Sequence, residues 1–297
     1  MRKRCGILGV LLAISLVSLA ACGNGDGDTA DSSTTAAPDP NESTTTASSA
    51  PDTTGGSGGG IPVTIYFTRD GKISPAGRSA TSSDTVARDA LTALLGGPDD
   101  REVGWDLGTA IPEGTSLLGV EIGDGVGTVD LSGEFDATGD SLSVSLRAAQ
   151  IVFTLTQFPT VDRVALEIEG EPVESVGGAD VLAGSPVTRD AFGDVTPVIL
   201  VESPLPGATI ESPITVTGSS ATFEGTVRIA ITDGDRGTVY DSFFTSTGAN
   251  GVWGPFEETV EFQATTGSGT VSLWEDDVSS DGPGARRNQV DVPVEIG

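Results

Sequence analysis

The sequence contains no histidine, and only two cysteines occur among its 297 residues. One of them, Cys5, sits inside an N-terminal leader, and the other, Cys22, directly follows it. Without imidazole and without a spare thiol there is no Ser-His-Asp triad, no cysteine nucleophile and no zinc site of the usual nitrogen and sulfur type. Disulfides are excluded with them, so whatever folds must hold together through its core alone. Aromatic residues make up 5% of the chain and basic residues number 15 against 43 acidic ones. Removing Arg2, Lys3 and Arg4 with the leader leaves 12 basic residues against the same 43. A surface this acidic repels nucleic acid and anionic lipid headgroups, which argues against a nucleic-acid partner. Long apolar runs are missing too: the stretch from Gly6 to Leu19 is short of the roughly 20 residues a spanning helix needs.

That stretch has the order of a secretory signal, with a basic start, a short apolar core and small residues before the cut. Leu19-Ala20-Ala21-Cys22 resembles a bacterial lipobox. The resemblance implies cleavage before Cys22, fatty acylation of its thiol and new amino group, and anchoring to the outer face of the cell membrane. Residues 1–21 are therefore read as a lipoprotein signal peptide. Residues 22–60 are rich in Gly, Asp, Thr, Ser, Ala and Pro and cannot bury enough surface to offset the entropy of ordering. They read as a disordered tether with a root-mean-square span of about 35 Å by flexible-chain scaling. Asn41-Glu42-Ser43 fits a glycosylation sequon by chance.

From Ile61 the pattern changes. Ile61 to Phe67 reads as a strand that ends at the turn signal Asp70-Gly71. Asp84 offers an N-cap for a helix carrying Val86, Ala87, Ala90, Leu91, Leu94 and Leu95 at helical spacing, stopped by Gly96-Gly97-Pro98. Ser116 to Ile122 and Val126 to Leu131 form a hairpin across Asp124-Gly125. A second helix fits Ser143 to Thr156 and ends at Phe158-Pro159. Val164 to Ile168 is a strand, turned by Glu169-Gly170 into a short last one at Glu171 to Val173. The order β-α-β-β-α-β-β predicts a compact α/β sandwich over 61–178. Residues 179–197 lack periodicity and read as an interdomain linker. Residues 198–297 carry seven candidate strands, at 199–201, 214–217, 226–231, 238–240, 259–262, 271–274 and 290–294. Their spacing suggests an all-β sandwich of immunoglobulin type.

Several strings in the first domain resemble the GerMN domain of sporulation and germination proteins: Val63-Thr64-Ile65-Tyr66-Phe67, Leu94-Leu95-Gly96-Gly97-Pro98, Thr109 to Thr115, Val129-Asp130-Leu131-Ser132 and Gln150 to Pro159. Pro204 to Gly207, Ser212-Pro213-Ile214, Val216 to Ala221, Phe223 to Val227 and Ser279 to Gly282 are similar to the immunoglobulin-like domain of bacterial spore-germination proteins. These likenesses imply an α+β domain followed by an all-β sandwich, no catalytic residue, no cofactor, and assembly with an envelope protein or cell-wall polymer. They also imply oligomerisation through the GerMN-like domain.

Gln150 and Gln157, in the longest matching string, are candidate contacts of an assembly face, although apolar residues at helical period are usually core. They could instead hydrogen-bond loop backbone. Trp253 and Trp274 are candidate aromatic anchors, with core packing the default for Trp274. Phe223 is placed in the sandwich core and Glu224 at a strand edge. Asp130 with Glu134 or Asp136 is a possible carboxylate pair, in a strand-end setting where acids are common. Asp233-Gly234-Asp235 resembles a fragment of a calcium loop, but lacks the later ligands, so a hairpin turn fits better. The competing class is a carboxylate-based enzyme acting on cell-wall glycan, which needs two carboxyls about 5 to 10 Å apart in a cleft, or a polysaccharide-binding lipoprotein. A two-lobed solute-binding protein is not suggested by two dissimilar halves.

Overall fold

The computed structural model describes residues 60–277 and 285–297. Cys22, the leader, the tether and Ser279 to Gly282 lie outside the described residues. Among the described residues no helix is long and apolar enough to cross a membrane.

The first domain is mixed α/β. Strand β1 (Ile61–Arg69) turns at Asp70-Gly71 into β2 (Lys72–Ala80), and the two form an antiparallel hairpin. Both turn residues have positive φ, the geometry of a tight two-residue hairpin loop. Sequence alone did not suggest β2, because Lys72–Ala80 holds Ser74, Pro75, Ala76 and Gly77 where β-branched residues are usual. Small residues are needed there because β2 is covered. A methyl on Gly77 would sit 3.4 Å from Leu205 of the second domain. Pro75 is tolerated because, among the described strands, β2 pairs only with β1, leaving one side free of ladder bonds.

A 3-10 turn containing Asp84 leads into α1 (Val86–Leu95), so the N-cap position falls at Thr85, one residue after the expected Asp84. The short α2 (Asp100–Val103), not anticipated, is closed by a reciprocal capping box between Asp99 and Glu102. Then follow β3 (Leu117–Gly123), β4 (Val126–Leu131), α3 (Ser141–Leu155), β5 (Arg163–Ile168) and β6 (Glu171–Val173). They build a sheet of order β3-β4-β5-β6, with β4 and β5 parallel across the helix. Turns at Asp124-Gly125 and Glu169-Gly170 fall where expected, all four residues with positive φ. Helix α3 is buried on nearly every side from Leu146 to Leu155, as a helix with so wide an apolar face must be.

The segment read as a linker is instead part of this core. Leu182, Val187, Phe192 and Val195 are buried with it, and Val187 exchanges backbone hydrogen bonds with Val164 beside β5. Its apolar residues are isolated rather than periodic, so no pattern betrayed them.

The second domain is an all-β sandwich. All seven expected strands are present, as β7 (Ile199–Ser203), β9 (Ile214–Ser220), β10 (Thr226–Asp233), β11 (Gly237–Thr245), β12 (Gly254–Val260), β13 (Gly267–Asp276) and β14 (Arg286–Ile296). The two-residue β8 (Thr209–Ile210) is additional. One sheet runs β11-β10-β13-β14-β8 and the other β12-β9-β7. Phe223 is not in the core: it lies 57% exposed in the turn before β10, where Glu224 takes a positive φ. A helix-like turn, rather than an earlier start to β10, points Phe223 outward.

Strand β7 serves two cores at once. Ile199 and Val201 face the sandwich, whereas Leu200 is packed into the core of the first domain. A strand buried on both faces reads as an unbroken apolar run, and Ile199-Leu200-Val201 is one.

Candidate functional site

Helix α3 seals β1. The outward N–H and C=O groups of β1 at alternate residues would be open to another strand. Gln157 closes the first pair: its Oε1 accepts from Thr64 N–H at 2.7 Å and its Nε2 donates to Thr64 C=O. One turn back, Thr154 Oγ1 accepts from Tyr66 N–H at 3.1 Å, and Gln150 Nε2 donates to Tyr66 C=O at 3.1 Å. Thr68 is met by Gly108, with mutual backbone bonds of 2.8 Å. Gln150 also accepts from Ala110 N–H at 2.8 Å. Three polar side chains at positions i, i+4 and i+7, two in α3 and Gln157 in the turn just past its end, thus replace a neighbouring strand. Gln150 is 0% exposed, so it does not form an assembly face; Gln157 is half-buried, with its amide bonded to β1 and to Thr154 C=O.

Trp253 is likewise occupied. Its Nε1 donates to Pro197 C=O at 3.1 Å, and a methyl on Gly193 would lie 3.5 Å from its ring. It clasps the loop after β11 to the segment before β7. Trp274 is buried, as its default reading required, beneath Arg286, whose guanidinium lies 3.8 Å from the ring centre, and Arg228 at 5.6 Å.

A polar lock joins the two domains. Arg189, from the supposed linker, donates to Glu202 of β7 at 2.8 Å, to Thr156 Oγ1 at 2.7 Å and to Phe153 C=O at 3.1 Å. Its guanidinium stacks 4.7 Å from the Phe153 ring centre and 5.3 Å from that of Tyr66. The Tyr66 hydroxyl donates to Glu202. Burial, aided by the Glu202 charge, raises the Tyr66 pKa far above its ordinary value, so the hydroxyl remains a donor. Burial works against the Arg189 charge, but Tyr66 and Glu202 outweigh it and leave the pKa raised.

The carboxylates picked out from the sequence hold turns. Asp130 accepts from Gly170 N–H at 2.9 Å and Asp136 from Gly177 N–H at 2.7 Å, which ties each to a different loop. The Ser132 hydroxyl lowers the pKa of Glu134. Asp233 closes the β10–β11 turn: Oδ1 accepts from Asp235 N–H at 2.8 Å, while Oδ2 accepts from Thr265 N–H at 2.6 Å and from its hydroxyl at 2.7 Å. These bonds, the Thr265 N–H foremost, hold its pKa down to about 2. A depressed carboxylate pKa stabilises the fold above the unfolded value of about 4 and loses that contribution as pH falls through about 2. Asp233→Asn is therefore expected to flatten the acid limb of the stability curve between those pH values. Urea unfolding at a series of pH values checks this, and parallel curves for the two proteins would refute it. Among the described residues no group of three or more His, Cys, Asp or Glu gathers to hold a metal.

One surface was not anticipated. β3 pairs only with β4 among the described strands, which leaves its other side without a partner strand. Its apolar side chains are poorly covered: Leu118 is 46% and Ile122 42% exposed. The opposite end of that sheet is β6, three residues long and containing Pro172, the usual blunting of an edge. Beside β3, an open groove of about 890 Å³ runs between Val120, Ile122 and the start of α1. Asp84, Asp124 and Asp162 line it, with Arg88 the single cation. The sequence signal was the run Leu117-Leu118 with Val120 and Ile122 beside it, too many apolar residues for a strand covered on one face.

Residues 64–174 match the family model described as Sporulation and spore germination, and residues 198–282 the one described as Immunoglobulin-like domain of bacterial spore germination. No curated protein matches the chain. Among solved structures, the chain is similar to a candidate lipoprotein from Clostridium perfringens at 25% identity, covering 40% of this chain and 82% of that one with a TM-score of 0.30. The first GerMN domain of the sporulation protein GerM from Bacillus subtilis is 23% identical, covering 43% and 95% with a TM-score of 0.36. The tandem GerMN domains of the same protein are 18% identical, covering 68% and 61% with a TM-score of 0.39.

Proposed function

We propose that this chain, which carries a sporulation and spore-germination domain followed by the immunoglobulin-like domain of bacterial spore germination, is a lipid-anchored, extracytoplasmic, non-catalytic recognition module of the cell envelope. Cys22 would hold it on the outer face of the membrane, and residues 23–60 would set its reach. The observation that carries the recognition role is the unpaired β3 edge with Leu118 and Ile122 exposed beside an acid-lined groove. An extended segment of a partner can add a strand to such an edge, with main-chain bonds giving affinity and the groove giving selectivity. Three carboxylates against one cation favour a basic segment. A second copy of a chain at −28 is disfavoured by its own charge, which sets oligomerisation behind an envelope protein as partner.

The experiment has two arms in intact cells. Cys22→Ser is expected to release the protein from the membrane fraction, and persistence there would remove the anchor. A photo-crosslinker at Leu118 is expected to capture a partner that Val120→Asp/Ile122→Lys loses and that a crosslinker at Glu257, in the other domain, never captures. Equal capture from both positions would overturn the edge as the recognition site. The glycan-hydrolase reading retains one favourable observation, Asp84, Asp124 and Asp162 in one groove. Release of soluble fragments from purified cell wall, abolished by Asp124→Asn, would establish it in place of recognition.

A further inference from the structure

A second cavity, of about 280 Å³, lies where the β1–β2 turn meets the sandwich. Its size is near the lower end of small-molecule sites. The wall is apolar, with Ile73, Pro75, Val198, Leu200, Val290 and Val292 among its residues. The polar groups are distributed unevenly: Arg69, Lys72 and Asp70 stand on the hairpin side, and Asn288 and Gln289 on the β14 side.

The two cations are the unusual part. Arg69 and Lys72 are register partners at the end of the β1–β2 ladder, and like charges directly opposed on antiparallel strands are destabilising. In a chain with 15 basic residues against 43 acidic ones, carboxylates are abundant. Yet none of the ion pairs among the described residues includes either cation. Each spends one donor on a backbone carbonyl of the neighbouring elements, Arg69 Nη1 on Asp291 C=O at 3.3 Å and Lys72 Nζ on Asp194 C=O at 2.6 Å. A neutral amide could supply those bonds. The remaining donors of both groups have no hydrogen-bond or ion-pair partner among the described residues, and they border a cavity whose one lining acid, Asp70, contributes one negative charge against two positive.

On β14, Asn288 and Gln289 use their amide nitrogens on Glu275 and Asp291. Their amide oxygens stay available as acceptors. Because Arg69 itself reaches β14 through Asp291 C=O, the cations and these acceptors border one apolar wall, and together they match a peptide's carboxyl terminus: carboxylate, apolar last side chain, preceding amide N–H. A simple fatty carboxylate would leave the acceptors unused.

We infer that the cavity between the β1–β2 turn and β14 binds the free carboxyl end of a peptide whose last residue is apolar, with Arg69 and Lys72 receiving the carboxylate. This site is separate from the β3 edge and does not depend on it. The test uses the full chain carrying Cys22→Ser and the probe acetyl-Gly-Ala-Val with a free carboxyl, titrated by calorimetry and by amide chemical shifts. Binding is expected to shift Ile73, Val290 and Val292. Amidating the probe is expected to weaken it at least tenfold, the loss of a charge-assisted hydrogen bond. Arg69→Gln/Lys72→Gln should weaken it by as much. Should that variant also loosen the domains, Val290→Trp, which fills the cavity and keeps both cations, must abolish binding by itself. Equal binding of the amidated probe, retention of affinity in either variant, or no shift at millimolar probe would each overturn the site and leave the cations as interdomain struts. Octanoate binding as tightly as the peptide would overturn the peptide assignment.

Discussion

Replacing Arg189 by alanine is expected to cost about 3 kcal/mol of unfolding free energy, the lower end of the range for removing one partner of a buried ion pair. The lower end applies because the Arg189 and Glu202 side chains are 28% and 30% exposed, so water screens part of the charge left behind. What remains is still severe. Glu202 keeps only the Tyr66 hydroxyl, the Thr156 hydroxyl and Phe153 carbonyl lose a donor, and two aromatic faces lose the guanidinium stacked on them. The lost contacts also span both domains, so calorimetry should show more than a lowered Tm: a single transition in the parent should broaden or split. Arg189→Lys keeps the charge but not the planar fork, and should fall between the two. A cost below about 1 kcal/mol, as for an exposed pair, would show that the lock is ornamental.

Gln150→Leu should be comparably damaging, at about 2–4 kcal/mol, although it swaps a buried polar side chain for an apolar one of similar volume. Each backbone group orphaned in a dry interior costs roughly 1–3 kcal/mol, and this change orphans two, Ala110 N–H and Tyr66 C=O. The two lie in different loops and strands, so no small shift of the helix can repair both. Gln150→Glu keeps the acceptor for Ala110, loses the donor to Tyr66 and adds a buried charge, so it should be no better. Chemical denaturation measures both. A leucine variant within about 0.5 kcal/mol of the parent would mean that water or a shifted strand satisfies β1, and the account of α3 as a surrogate strand would fail.

The long-period elements were readable because one face repeats: α1 and α3 through their 3.6-residue spacing, the β3–β4 hairpin through Asp124-Gly125. Elements that lie between two layers were not. β2 has Pro75 and Gly77 because β1 and the second domain leave it no room, and that reason is visible only once the second domain is in place. Residues 182–195 hide four core side chains with no common period. The polar face of α3 held a clue that periodicity cannot interpret, since Gln150, Thr154 and, just past the helix end, Gln157 continue one stripe of an element that otherwise buries nearly every side. A polar stripe on such a helix must meet backbone. Arg189 offered no sign at all, since Tyr66 lies 123 positions away from it. The paired cations around Asp70-Gly71 were in plain view, but only the apolar wall opposite gives them meaning.

The double-faced β7 bears on how such chains can diversify. Because Leu200 completes one hydrophobic interior while Ile199 and Val201 complete the other, there is no cut between the halves that spares both. A recombination event dropping either module into an unrelated gene would open a greasy wound on the donor and the recipient alike. Trading either half of this chain for another therefore requires the newcomer to bring its own cover for Leu200, or for Ile199 and Val201.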